Sequence, residues 1–187
     1  MCEEHGQGYD TSGRPMVTEV EVWPLAADQT GIWLLEPTGP WPSEVVTDDM
    51  EPHDFVRLVL DQHGAPADLF HATSWRIEHD PVSGRNYQRN TYMAVIACEG
   101  LVPAEWPDAL PVTTLFAEEV GPAPTHGPTE APTVPWSHVL LHGLRHLRFL
   151  LTTDATVAAA LTEAWGWHLA SFDAAIARMY QQVHEAV

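Results

Sequence analysis

Glu51, Asp54 and Asp61 stand at spacings that bring their carboxylates near one face of a helix, with Asp48 and Asp49 just before them. Carboxylates grouped in this way can hold a divalent cation such as Mg²⁺. The same residues can equally form a solvated face beside a helix N-terminus, where the helix dipole favours acids. A second group is His138, His142 and His146, which recur every four residues, with Arg145 and Arg148 among them. One ion cannot take all three, because the outer two lie about 12 Å apart along a helix. An adjacent pair could bind Zn²⁺ with His71 or His168 as a third ligand. Alternatively His142 and Arg145 belong to a cationic patch that receives an anion. His71 and Ser74 are three apart on an expected strand, so they should point to opposite faces and form no nucleophile–base pair. No HExxH, GxSxG, phosphate loop or dinucleotide fingerprint is present.

The elements that must position these residues are legible from pattern. Residues 1–16 are polar and without period and read as a mobile tail. VTEVEVW (17–23) alternates as a strand does, AADQTG (26–31) is a turn, and IWLL (32–35) is a second strand. EPTGPWPSE (36–44) carries three prolines and reads as a loop, with Trp41 in it as a rigid apolar lip to a pocket. EPHDFVRLVLDQHGAP (51–66) forms a helix, started by Pro52 and ended by Gly64. LFHATSWRIE (69–78) and TYMAVIAC (91–98) are strands about a glycine turn, with PVTTLF (111–116) a weaker one, and Cys98 ends its strand as a small apolar residue.

The proline-rich stretch 121–135 is a linker or strap. Beyond it, residues 136–187 read as a pair of helices. The first has Leu140, Leu144, Leu147 and Leu151 on one face and the histidines on the other. The second carries a stripe from Val157 through Leu161, Trp165 and Phe172 to Val183, capped by Asp154 and weakened at Gly166. His168 lies inside that stripe and is expected as a buried, neutral ring.

Strand, strand, loop, helix, strand, hairpin, strand is an order that resembles the Nudix fold, over roughly residues 17–120. Anchored on Gly64, the family's motif finds Arg57, Val59, Gly64 and Ala65 in matching places and Asp61 where a Glu belongs. Leu58 and Gln62 occupy the other two acidic positions, Ser43 stands for the first Gly, and Asp49 for its Glu. The resemblance implies an α/β (α+β) fold, a mixed Nudix-like sheet with flanking helices, to which a C-terminal helical hairpin is appended. It also implies a ligand site near Trp41, Arg57 and Asp61. Nudix chemistry uses several carboxylates to hold its metal. Leu58 cannot bind one and Gln62 is neutral, so the expectation is a degenerate member without a catalytic set. HATSWR and HVLLHGLRHLRFLL are also similar to uncharacterised actinobacterial proteins, which implies no function.

Composition bounds the function. The chain of 187 residues has 8 basic against 26 acidic residues, a net charge of −18, and every basic residue is Arg. Such a surface repels phosphate backbones, so direct nucleic-acid binding is not expected. Two cysteines make no disulfide framework, the first residues carry no apolar leader, and no run is long enough to span a bilayer. A cytoplasmic protein without a membrane partner is expected. The leading expectation is a non-catalytic module that binds a protein or a small ligand, without a cofactor. The alternatives are a Mg²⁺-dependent hydrolase of nucleoside-diphosphate-linked compounds that uses the displaced carboxylates Glu51, Asp54 and Asp61, and an acidic mimic of nucleic acid.

Overall fold

The computed structural model describes residues 8–9, 15–45, 50–80, 82–112 and 135–172. Its strands are β1 (Gly8–Tyr9), β2 (Pro15–Asp28), β3 (Gly31–Leu34), β4 (Trp41–Val45), β5 (Ala67–His79), β6 (Asn86–Ile96) and β7 (Leu110–Pro111). Its helices are α1 (Pro52–Gln62), α2 (Val102–Glu105), α3 (Trp136–Thr153), α4 (Ala155–Ala160) and α5 (Glu163–Leu169). The strands form one mixed sheet whose path runs β5-β6-β2-β3-β7, with β1 and β4 also paired to β2. β2 runs parallel to β6 from Met16↔Asn86 to Leu25↔Val95, and the other pairings are antiparallel.

Alternation along β2 divides the core in two. Val20, Val22 and Ala26 face one side, where they pack with Tyr92, Ala94 and Ile96 against Phe55, Val56, Val59 and Leu60 of α1. Trp23 and Leu25 face the other, where they pack with Met93 and Val95 against Leu140, Leu144 and Leu147 of α3 and Trp165 and Leu169 of α5. The fold is therefore a mixed α+β sheet covered by helices on both faces. The segment that reads in sequence as an appended hairpin is a full layer of the core. Its second helix is also not continuous. α4 ends at Ala160, Leu161 is extended, and α5 begins after Thr162, so the break precedes Gly166. Asp154 caps α4 as expected, its carboxylate accepting from the backbone N–H groups of Thr156 and Val157.

α1 lies where the sequence places it. Gly64 closes it at φ 60°. Ala65 N–H donates to the Leu60 carbonyl and Gly64 N–H to that of Asp61, the paired bonds that end a helix on a left-handed residue. Other expectations need correction. Residues 41–45 are a strand and not a loop, and Pro42 is tolerated because it sits at a bulge in the β2–β4 pairing, where no ladder bond needs its missing N–H. Gly8–Tyr9 pairs with Pro15–Met16, so this part of the supposed tail is a ribbon. Residues 113–134, which hold most of the expected strand 111–116 and of the proline-rich stretch, lie outside the described residues, as do 173–187.

Two local contacts bind the layers. Gly143 lets α3 approach β6, since a Cβ built there would lie 2.0 Å from Met93 Cε and 2.9 Å from its Cγ. Asp28 closes the β2–β3 turn and ties it to α2. One carboxylate oxygen accepts from Thr30 N–H, Thr30 hydroxyl, Gly31 N–H and Trp33 Nε1, and the other from Val102 N–H at 2.8 Å. The Asp28 carbonyl accepts from His168 Nε2 at 3.0 Å. His168 is thus a half-buried ring bonded to backbone, and not one sealed in an apolar stripe.

Burial alone would raise the pKa of Asp28. The bonds from Thr30, Val102 and Trp33 outweigh it and hold the group at about 2, against 3.8 ordinarily. The ionised form therefore stabilises the fold above about pH 4, and that contribution is lost as pH falls toward about 2. Asp28→Asn should cost about 2 kcal/mol at neutral pH and flatten the acid loss in that window, as read by urea denaturation across pH. Gly143→Ala gives the helix about 1 kcal/mol of propensity but overpacks a filled core by about 1–3 kcal/mol. It should destabilise the parent chain and stabilise a Met93→Ala chain; stabilisation in both would refute the close approach.

Candidate functional site

The outer face of α1 presents Asp54, Arg57, Leu58 and Asp61, all exposed. Asp54 Oδ1 lies 2.7 Å from Arg57 Nη1, an ion pair in solvent of small energetic value. The Arg57 guanidinium also sits over the Phe70 ring, 5.6 Å from its centroid. Leu58 is 41% exposed between these charges. Trp41 does not join them. It is 3% exposed, buried in the core beneath α1, and stacked on His63 at 4.0 Å. The expected lip of a pocket is a core residue, so Trp41, Arg57 and Asp61 do not line one site. Glu51 is the extended residue before α1 and its side chain makes no cap bond. Among the described residues no three His, Cys, Asp or Glu side chains are grouped so as to hold a metal ion, and Asp48 and Asp49 lie outside those residues.

The histidines of α3 do not form an outward row. His146 is 6% exposed and shares the inner face of the helix. Its ring lies 5.3 Å from that of His71 on β5 and 6.1 Å from Phe149. Burial lowers the pKa of His71, opposed by the charge of Asp154 and aided by that of His53. Burial and then Arg145 lower that of His142, whose Nε2 is buried and finds no hydrogen-bond partner among the described residues. His142 is thus a half-buried ring whose neutral form is favoured. A bulge between Ala72 and Ser74 shifts the phase of β5. His71 lies opposite Met93 before it and Ser74 opposite Thr91 after it, so the two share a face of the sheet, contrary to simple alternation. Cys98 is half-buried. Burial and Glu105, whose Oε1 is 3.1 Å from Sγ, push the thiol pKa up, which makes it a poor nucleophile.

Pattern reading missed the densest charged cluster. On the α3 face of the sheet, Arg76 forks onto Glu21, with Nη2–Oε1 at 2.5 Å and Nη1–Oε2 at 2.8 Å, and its Nε meets Glu78 at 2.7 Å. Arg89 Nε lies 3.1 Å from Glu19 and 3.3 Å from Glu78. Glu21 is almost fully buried. The signal was present in VTEVEVW, where Glu19 and Glu21 share the phase of Trp23, an inward phase. Every carboxylate in the cluster meets a guanidinium, so it acts as a cross-strand brace over β5, β6 and β2.

The free half of β5 is the remaining feature. After the bulge, Trp75 and Ile77 turn to the α1 side of the sheet and are 39% and 48% exposed. No family model matches the chain, and no curated protein matches it.

Arg76→Met leaves Glu21 buried without its fork and should cost about 3 kcal/mol in urea denaturation. Adding Glu21→Leu should restore much of that loss. A cost below about 1 kcal/mol for the single change would show the pair to be solvated.

Proposed function

We propose that this protein is a non-catalytic binding module on a Nudix-like sheet domain, and that it meets a partner protein through the outer face of α1. The observation that carries this reading is Leu58. It stands exposed at the centre of the face where Nudix chemistry needs a carboxylate, flanked by the Asp54–Arg57 pair and Asp61. An apolar side chain ringed by charge is suited to a protein contact, where the centre is desolvated and the rim stays wet. It contributes nothing to holding Mg²⁺. Gln62, one turn further along, is neutral and also leaves the metal charge unbalanced. The charge of −18 points to a partner with a basic contact surface, since complementary potentials speed encounter and disfavour acidic competitors.

Two measurements test this reading. Purified protein with Mg²⁺ or Mn²⁺ should not hydrolyse nucleoside-diphosphate sugars, ADP-ribose or nucleoside triphosphates; turnover that Asp61→Asn abolishes would overturn it in favour of the displaced-carboxylate hydrolase. Leu58→Lys should weaken recovery of a co-purifying partner at least tenfold with an unchanged melting temperature, while Trp167→Ser, an exposed change elsewhere, should not.

A further inference from the structure

We infer that the free half of β5 pairs with the same strand of a second copy of this chain, antiparallel about a two-fold axis at Ile77. β5 ends the sheet path, and among the described residues no strand pairs with its outer side. An unpaired edge offers a row of N–H and C=O groups to any strand that fits, and proteins that keep such an edge monomeric blunt it with charge, proline or distortion. The half before the bulge is covered on one face, where His146 of α3 packs on His71. The half after it, Ser74–His79, pairs regularly with Thr91–Asn86 and contains no proline or further bulge.

The occupant follows from the side chains of that segment. In an antiparallel pair centred on Ile77, Ile77 faces Ile77 of the second copy, Trp75 faces His79, and Arg76 faces Glu78. Directly opposed side chains are about 4.5–5.5 Å apart at Cβ, close enough for each pair to interact. One face of the joined sheet then carries an unbroken row of Trp, Ile and His from both copies, which covers the exposed Trp75 and Ile77. The other face carries two Arg–Glu pairs that extend the brace already formed by Arg76, Glu78 and Arg89. Neighbouring registers that keep the two-fold axis centre on Arg76 or on Glu78, and so place Arg against Arg or Glu against Glu. Of these three registers, only the one centred on Ile77 sets unlike charges against each other. The charge of −18 on each copy opposes association, but charges beyond about 8 Å are screened at physiological ionic strength, and within Ser74–His79 the one Arg and one Glu balance. The contact is isologous and closes at two copies.

The test uses the full chain. Sedimentation equilibrium at physiological salt should give a dimer, and Ile77→Lys, which sets two ammonium groups face to face on the axis, should give a monomer with unchanged circular dichroism. With Cys2 and Cys98 replaced by Ser, Ile77→Cys should form a cross-linked dimer under mild oxidation, whereas Trp75→Cys and His79→Cys should not. A monomeric parent chain at about 100 µM would overturn the proposal, as would a dimer that survives Ile77→Lys, or cross-linking at 75 and 79 in place of 77. None of these outcomes bears on the α1 face, so the binding role proposed for Leu58 stands or falls separately.

Discussion

The parallel pairing of β2 with β6 is the constraint on which the rest of the structure depends. Two parallel neighbours cannot be joined by a tight turn, and such strands are stable when both faces of the sheet are covered. The chain between them accordingly makes β3, β4, α1 and β5 before β6 arrives beside β2. That excursion delivers α1 to one face. The other face must be supplied from further along, and α3, α4 and α5 supply it. β2 is long enough to serve three antiparallel partners besides β6: β1 at its start, β4 along Glu19–Val22 and β3 along Leu25–Asp28.

Within this frame, polar groups are tolerated in the sheet only where they answer one another. Glu19 and Glu21 occupy inward positions on the α3 face, and there the sheet brings Arg89 beside them on β6 and Arg76 beyond it on β5. Burying Glu21 would cost several kcal/mol without a partner, and the fork from Arg76 offsets that cost. Asp28 plays the equivalent part at the end of β2, where five hydrogen-bond donors converge on one carboxylate. Two of the eight arginines are therefore committed to holding strands together, which leaves an acidic surface with few cations to moderate it.

Much of the fold was legible in sequence, and for identifiable reasons. Pro52 and Gly64 bracket α1 because each has a backbone preference that only a helix start or a helix end satisfies. The Leu140, Leu144 and Leu147 stripe marks the buried face of α3. What was hidden depended on tertiary contact. Trp41 and Pro42 read as loop because a bulge that accommodates proline has no local signature. The phase of β5 was misread because nothing in HATSWR announces a bulge. His146 seemed to face outward because only the packing of α3 on His71 shows how wide its buried face is. Of the ion-pair brace only the inward phase of Glu19 and Glu21 showed in sequence; its arginine partner was hidden because Arg76 is far from Glu21 in the chain and meets it only across the intervening β6. The candidate site suffered most, since Trp41 lies in the core while Arg57 and Asp61 stand exposed on the outer face of α1 beside Leu58.

Native-state hydrogen exchange followed by NMR across a series of denaturant concentrations tests the two-sided core most directly. If the sheet and the C-terminal helices share one core, amides of Leu140–Leu150 in α3 should open with the same free energy and the same denaturant dependence as those of Val20–Ala26 in β2 and Thr91–Ile96 in β6, because they are exposed in a single global event. Opening of α3 at a distinctly lower free energy and with a smaller denaturant dependence, while β2 and β6 stay protected, would show that the helices are an appendage on a sheet that is stable without them.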